Sequence, residues 1–82
     1  MAASLRFHVT KHAALRFMER GVSLESAKDV VKYSKQVEKL QSGHNGGTLK
    51  RFRKTADGKT LVVVAEVKDK DCWIATAYYD EN

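Results

Sequence analysis

The side chains best suited to phosphate chemistry recur every four residues near the start of the chain, as His12, Arg16 and Arg20. Residues at this spacing lie on one face of a helix. Histidine titrates near neutral pH and can accept or donate a proton, and an arginine fork binds phosphate through two parallel hydrogen bonds. We therefore expect this helix face to bind a phosphate, although a surface ion pair between Glu19 and an arginine would give the same pattern.

A second polar pair lies near the end of the chain, where Thr76 and Tyr78 alternate along a predicted strand. This spacing places both hydroxyls on one face, where they could position a phosphate or protonate a leaving group. A tyrosine in a strand is also commonly a packing residue, so that alternative stays open. Between the two groups, a basic segment could bind a nucleic-acid backbone through Lys50, Arg51 and Arg53.

The sequence offers no recognisable metal-binding motif and implies no cofactor. His8, His44 and Cys72 do not form a paired ligand motif, and nothing in the sequence supports Cys72 as a nucleophile. Without metal ligands, these residue types suit RNA cleavage in which the RNA's own 2′-OH attacks the adjacent phosphate. The predicted catalytic residues are His12, Arg16, Thr76 and Tyr78, and the predicted RNA-binding residues are Arg20, Lys50, Arg51 and Arg53.

The positive charge is concentrated in the first two thirds of the sequence. Residues 1–54 hold 12 Lys and Arg against 4 acidic residues, whereas residues 55–82 hold 3 against 6, and the net charge is +5. A basic, dipolar domain attracts polyanions, of which RNA is the predicted partner. Solubility and an acidic protein partner are the alternatives.

The elements that must position these residues are two helices followed by strands. Thr10 and Ser23 are predicted N-caps, and Gly21 suits the end of the first helix. The predicted helices are Lys11–Arg20 and Leu24–Tyr33, and the predicted strands are Lys35–Gln41, Thr48–Lys54, Leu61–Val67 and Cys72–Tyr79. A flexible loop at 42–47 and an Asp-Gly hairpin turn separate these strands. Short connections predict an α+β fold with both helices packed on a four-stranded antiparallel meander.

The length of 82 residues predicts a single domain over residues 1–82, and one cysteine excludes an internal disulfide. The sequence shows no apolar run long enough to cross a membrane and no signal peptide. We therefore expect a cytoplasmic protein that is monomeric when free and has no membrane partner. A toxin domain delivered from a larger secreted protein would have the same sequence features.

The motifs resemble the family called domain of unknown function 4258. The resemblance rests on the opening block from His12 through Arg16 and Glu19-Arg-Gly-Val-Ser, and on the closing Thr76-Ala-Tyr78. The family is similar to ribonuclease-like toxins that include RelE, BrnT, barnase-like domains and contact-dependent-inhibition toxins. The resemblance implies a RelE- or barnase-like fold, a site at His12, Arg16, Thr76 and Tyr78, and a cognate antitoxin or immunity protein as partner.

Three hypotheses follow for the function. The first is a small metal-independent ribonuclease of toxin type that cleaves tRNA or mRNA. The second is a non-catalytic module that binds RNA or a protein on the same fold, and the third is a phage or plasmid accessory protein with a structural role. The first requires the four predicted catalytic side chains to converge on one cleft.

Overall fold

The computed structural model describes residues 5–80, and these residues form a five-stranded mixed sheet with two helices. The elements in chain order are β1 (Arg6–Val9), α1 (Lys11–Glu19), α2 (Leu24–Tyr33), β2 (Gln36–Ser42), β3 (Thr48–Ala56), β4 (Lys59–Lys68) and β5 (Asp71–Asp80). The strand order is β1-β5-β4-β3-β2.

The first strand overturns the predicted architecture. β1 pairs in parallel with β5, from Arg6 opposite Asp71 to Val9 opposite Ile74. The prediction of two helices on a four-stranded antiparallel meander of RelE or barnase type is therefore wrong. A strand of only four residues gives a weak alternation pattern, and its partner lies more than sixty residues away, so local sequence does not reveal the pairing.

Local capping explains where the helices begin. Thr10 accepts a hydrogen bond from the Ala13 amide at 3.1 Å, and Ser23 accepts one from the Ser26 amide at 3.1 Å. Both contacts satisfy amides that have no partner within the helix, which confirms the two predicted N-caps. Gly21 follows α1 with φ of +68°, a conformation that glycine adopts without steric cost.

The hydrophobic core lies between the helices and one face of the sheet. α1 packs on β5, and α2 packs on β4 and β3. Buried residues from both layers form one cluster: Phe17, Val22, Ala27, Val30, Val31, Phe52, Leu61, Val63, Ala65, Cys72, Ile74 and Ala77. The opposite sheet face carries no helix within residues 5–80, and we call it the open face.

A β-bulge at Ala75 determines which side chains of β5 share the open face. Consecutive residues of β4 pair with Thr76 and Ile74, which leaves Ala75 without a partner. Trp73 therefore lies on the open face together with Thr76 and Tyr78. Strict alternation along β5 would place Trp73 on the face opposite Tyr78, but the bulge inserts one extra residue and brings both onto the same face.

Candidate functional site

The predicted phosphate-binding face of α1 is exposed and contains a direct contact between its first two members. Arg16 donates a hydrogen bond from Nε to Nε2 of His12 at 3.0 Å. A guanidinium nitrogen can only donate, so Nε2 of His12 is the acceptor in this contact. A general base needs a ring nitrogen that can accept a proton, and Nε2 of His12 has this role once its partner is a substrate hydroxyl rather than Arg16.

The third member of this face, Arg20, attaches the end of α1 to β5. Its Nη1 donates to Oγ1 of Thr76 at 2.9 Å and to the carbonyl of Ala77 at 3.2 Å. β1 pairs with β5 only as far as Ile74, so these groups lie on a part of the β5 edge that β1 does not cover. Arg20 thus brings the histidine-bearing helix and the threonine-bearing strand together at one edge of the sheet.

Tyr78 continues this edge onto the open face. Thr76 and Tyr78 are opposite Val64 and Val62 on β4, so both side chains lie on the open face, and both residues are half-buried. His12 and Arg16 lie on the flank of α1 next to Arg20. The structure therefore joins the end of α1 to Thr76 through Arg20, whereas Tyr78 is related to this contact only by its position two residues further along β5.

The three predicted RNA-binding residues of β3 do not form one continuous basic surface. Alternation places Arg51 and Arg53 on the open face and Lys50 on the helix-bearing face. Arg51 pairs with Glu38 at 2.7 Å, and Arg53 pairs with Asp80 at 2.9 Å. Both arginines lie on the face that carries Tyr78, but a phosphate would have to compete with a carboxylate for each of them.

The surroundings of Cys72 and His8 indicate that both residues have structural roles. Burial raises the pKa of the Cys72 thiol to about 11, so the residue stays protonated and unreactive at neutral pH. His8 stacks on Trp73 with ring centroids 5.2 Å apart and bonds to Asp71 at 2.9 Å. The hydrogen bond from His8 and the nearby charge of Arg6 outweigh desolvation and hold the pKa of Asp71 below its usual value.

The alternative explanation of this helix face, an ion pair between Glu19 and an arginine, is not seen in residues 5–80. Among residues 5–80, Arg16 bonds to His12 and Arg20 to β5, and neither forms an ion pair with Glu19. The helix face is therefore organised by the histidine and the strand edge, which the sequence spacing alone did not indicate.

Glu66 anchors a loop next to the candidate site, a role that the sequence did not indicate. It is 5% exposed, and its carboxylate receives hydrogen bonds from the amides of Asn45 and Gly47, each at 2.8 Å, and from Nδ2 of Asn45 at 3.1 Å. A methyl group at Gly43 would overlap the Glu66 carboxylate, so a larger residue there would displace it from these hydrogen bonds. The loop predicted to be flexible is therefore held against the open face. The available clue was a lone acidic residue in an otherwise apolar strand.

This anchored loop forms one wall of a groove on the open face. The groove has a volume of about 380 Å³ and lies between the loop at His44 and Asn45, the side chains of Leu49 and Trp73, and the segment at Thr10 and Ala75. We call it the loop groove. Thr10 caps the helix that carries His12, and Ala75 precedes Thr76, so the groove adjoins the candidate residues.

The contacts of Glu66 predict an acid-sensitive contribution to stability. Desolvation raises its pKa, but the hydrogen bonds from Gly47 and Asn45 outweigh it and leave the pKa below the usual 4.5. A lowered pKa stabilises the folded protein above pH 4.5, and this contribution disappears as the pH falls through the folded-state value. Glu66→Gln should therefore unfold at a lower temperature than the parent at pH 7, and the gap should narrow below pH 4.5.

Thermal unfolding of both proteins between pH 3 and pH 7 measures this gap. Glu38→Gln is the matched control, since Glu38 is an exposed carboxylate whose partner is an arginine rather than loop amides. A gap between parent and Glu66→Gln that stays constant over the whole pH range would contradict the assignment.

Two further features of residues 5–80 concern metal ligands and membrane-spanning helices. No three His, Cys, Asp or Glu side chains within residues 5–80 come close enough together to hold a metal ion. Neither helix in that range is long and apolar enough to cross a membrane.

Comparison with known proteins places the chain by its sequence. No curated protein and no solved structure matches it. The model of a family described as a domain of unknown function, DUF4258, matches residues 9–79, which contain both α1 and the Thr76–Tyr78 strand. Because this match spans nearly the whole chain, the protein belongs to the DUF4258 family.

Proposed function

We propose that the protein is a metal-independent endoribonuclease of toxin type that cleaves cellular tRNA or mRNA through attack by the RNA's own 2′-OH. The observation that carries the proposal is a pair of contacts made by α1 and the residue that ends it. In one, Arg16 donates to Nε2 of His12, and in the other, Arg20 joins the same helix to Thr76. A base, cationic groups and two hydroxyls are what this reaction needs.

Each residue has a defined role in the proposed reaction. Nε2 of His12 takes the proton of the 2′-OH, and the oxygen then forms a bond to the adjacent phosphorus. The hydroxyl of Tyr78 gives a proton to the departing 5′-oxygen as its bond to phosphorus breaks. The products are a 2′,3′-cyclic phosphate and a 5′-hydroxyl. Thr76 positions the phosphate, and Arg16 stabilises its added negative charge.

The hydrogen bond between Arg16 and His12 couples substrate binding to base activation. Without RNA, the lone pair of Nε2 is occupied by the Arg16 donor. A phosphate attracts the guanidinium more strongly than a neutral imidazole does, because the contact is then charge-assisted and bidentate. When Arg16 turns to the phosphate, it frees Nε2 to accept the proton of the 2′-OH.

The proposal also includes a relation to RelE and BrnT toxins and an inhibitory protein partner. A cognate antitoxin or immunity protein fits the net charge of +5, since an acidic protein would bind the same surface as RNA. Every residue of the edge strand β2 is exposed, so its backbone can accept a further strand from such a partner.

Incubation of the purified protein with cellular tRNA and mRNA in the presence of EDTA tests the proposed activity. We expect fragments with 2′,3′-cyclic phosphate and 5′-hydroxyl ends, and slower cell growth when the protein is expressed. RNA with 2′-O-methyl groups should resist cleavage because it lacks the attacking hydroxyl. Intact RNA together with normal growth would contradict the proposal, and salt-sensitive binding without cleavage would favour the non-catalytic RNA-binding module.

A further inference from the structure

The loop groove combines an aromatic wall with a small, partly apolar volume on the open face. Trp73 lines it, and the ring of His8 stacks on Trp73 with an interplanar angle of 22°. His8 is in turn held by Asp71 at 2.9 Å. The indole is therefore fixed in orientation before any ligand arrives, so it loses little side-chain freedom on binding.

The opposite wall of the groove is also fixed. The carboxylate of Glu66 receives three hydrogen bonds from Asn45 and Gly47, which hold the loop that carries His44. A methyl group at Gly47 would approach the carbonyl oxygen of Val67 to 2.6 Å, so the loop backbone lies directly on β4. A volume of about 380 Å³ between rigid walls is within the usual range for small-molecule pockets.

The position of the groove connects it to the proposed site. It reaches Thr10, two residues before His12, and Ala75, immediately before Thr76. A nucleotide bound in the groove would therefore be a neighbour of the phosphate handled at the β5 edge. The positive net charge of +5 favours a ligand attached to a polyanionic backbone.

We propose that the loop groove binds an unpaired nucleobase of single-stranded RNA, stacked on Trp73, next to the phosphate at the β5 edge. The inference rests on the proposed ribonuclease function for its substrate and adds a base-binding subsite to it. Aromatic side chains stack on every base, and Leu49 supplies an apolar surface across the groove. Double-stranded RNA cannot place a base there, so the substrate is single-stranded or a loop.

The sequence contains one tryptophan, so intrinsic fluorescence reports directly on this subsite. Titration with a 2′-O-methyl RNA tetranucleotide, which binds without being cleaved, should quench Trp73 to saturation. Inorganic polyphosphate carries the charge but no bases and should leave the fluorescence unchanged. Equal quenching by RNA and polyphosphate, or none by RNA, overturns the base-binding subsite.

Variants test the same subsite through the anisotropy of a dye-labelled copy of the tetranucleotide. Trp73→Ala should raise Kd by about 5- to 150-fold, the range expected for loss of one stacked base. Tyr79→Ala is the matched control, because Tyr79 is an exposed aromatic residue of the same strand that lines no part of the groove. Ala75→Leu fills the groove from an exposed position and should weaken binding without removing a core residue.

The outcomes separate the subsite from the ribonuclease. Cleavage of RNA without quenching of Trp73 overturns the subsite and leaves the enzyme. Quenching without cleavage supports the subsite and contradicts the enzyme. Equal affinity in the parent, Trp73→Ala and Ala75→Leu proteins overturns the subsite whichever way cleavage turns out.

Discussion

Replacing His12 with alanine is expected to slow RNA cleavage by about 10²- to 10⁴-fold, the range that general acid–base catalysis contributes. The side chain is exposed, and its one hydrogen bond in the described structure is to Arg16, so its loss leaves the core untouched. The folded protein should therefore have an unfolding temperature close to that of the parent. Initial rates on a defined RNA, together with thermal unfolding, measure both quantities.

The matched control for this prediction is Lys11→Ala. Lys11 is the exposed neighbour of His12 at the same helix end, so its removal tests charge at that position without removing a base. Arg16→Lys adds a graded test, since lysine keeps the charge but lacks the planar fork. It should slow cleavage while leaving RNA binding largely intact. Equal rates for His12→Ala and Lys11→Ala would remove His12 from the mechanism.

Short-range features of the fold were predictable from the sequence. Helix α2 has the predicted bounds, and α1 ends one residue before the predicted end, because capping and apolar spacing act within a few residues. The Asp57-Gly58 turn is equally local, and both residues have positive φ, as a tight hairpin turn requires. The parallel pairing of β1 was not predictable in this way, since it depends on contacts across most of the chain.

The candidate site shows the same division between local and long-range features. The spacing of His12 and Arg16 on one helix face correctly indicated that they are neighbours, and the structure adds their hydrogen bond. The attachment of Arg20 to Thr76 joins residues 56 positions apart, and the bulge at Ala75 redirects Trp73 to the open face. Neither follows from periodicity, because a periodic pattern contains no information about which strand edge is left uncovered.

The largest stability effect is expected at Phe17, which anchors α1. Its side chain is 3% exposed and belongs to the core cluster with Ile74 and Ala77 of β5. Phe17→Ala removes a large apolar side chain and leaves a cavity, at a cost of about 3–5 kcal/mol in the free energy of unfolding. The free energy of unfolding of proteins in general is about 5–15 kcal/mol, and domains of this size have modest cores. Phe17→Ala should therefore lose much of the free energy of unfolding.

Met18→Ala is the internal control. Met18 follows Phe17 in the same helix but is 77% exposed. Its truncation should therefore change the unfolding free energy by about 0.5 kcal/mol or less. Urea unfolding of the parent, Phe17→Ala and Met18→Ala proteins gives the comparison.

Phe17 also supports the position of His12 and Arg16, since the helix that carries them is held to β5 through its buried face and through Arg20. Cleavage by Phe17→Ala should therefore fall steeply on warming, in parallel with its folded fraction, whereas His12→Ala should be slow at every temperature. Similar unfolding free energies for Phe17→Ala and Met18→Ala would mean that α1 is not anchored as the structure indicates.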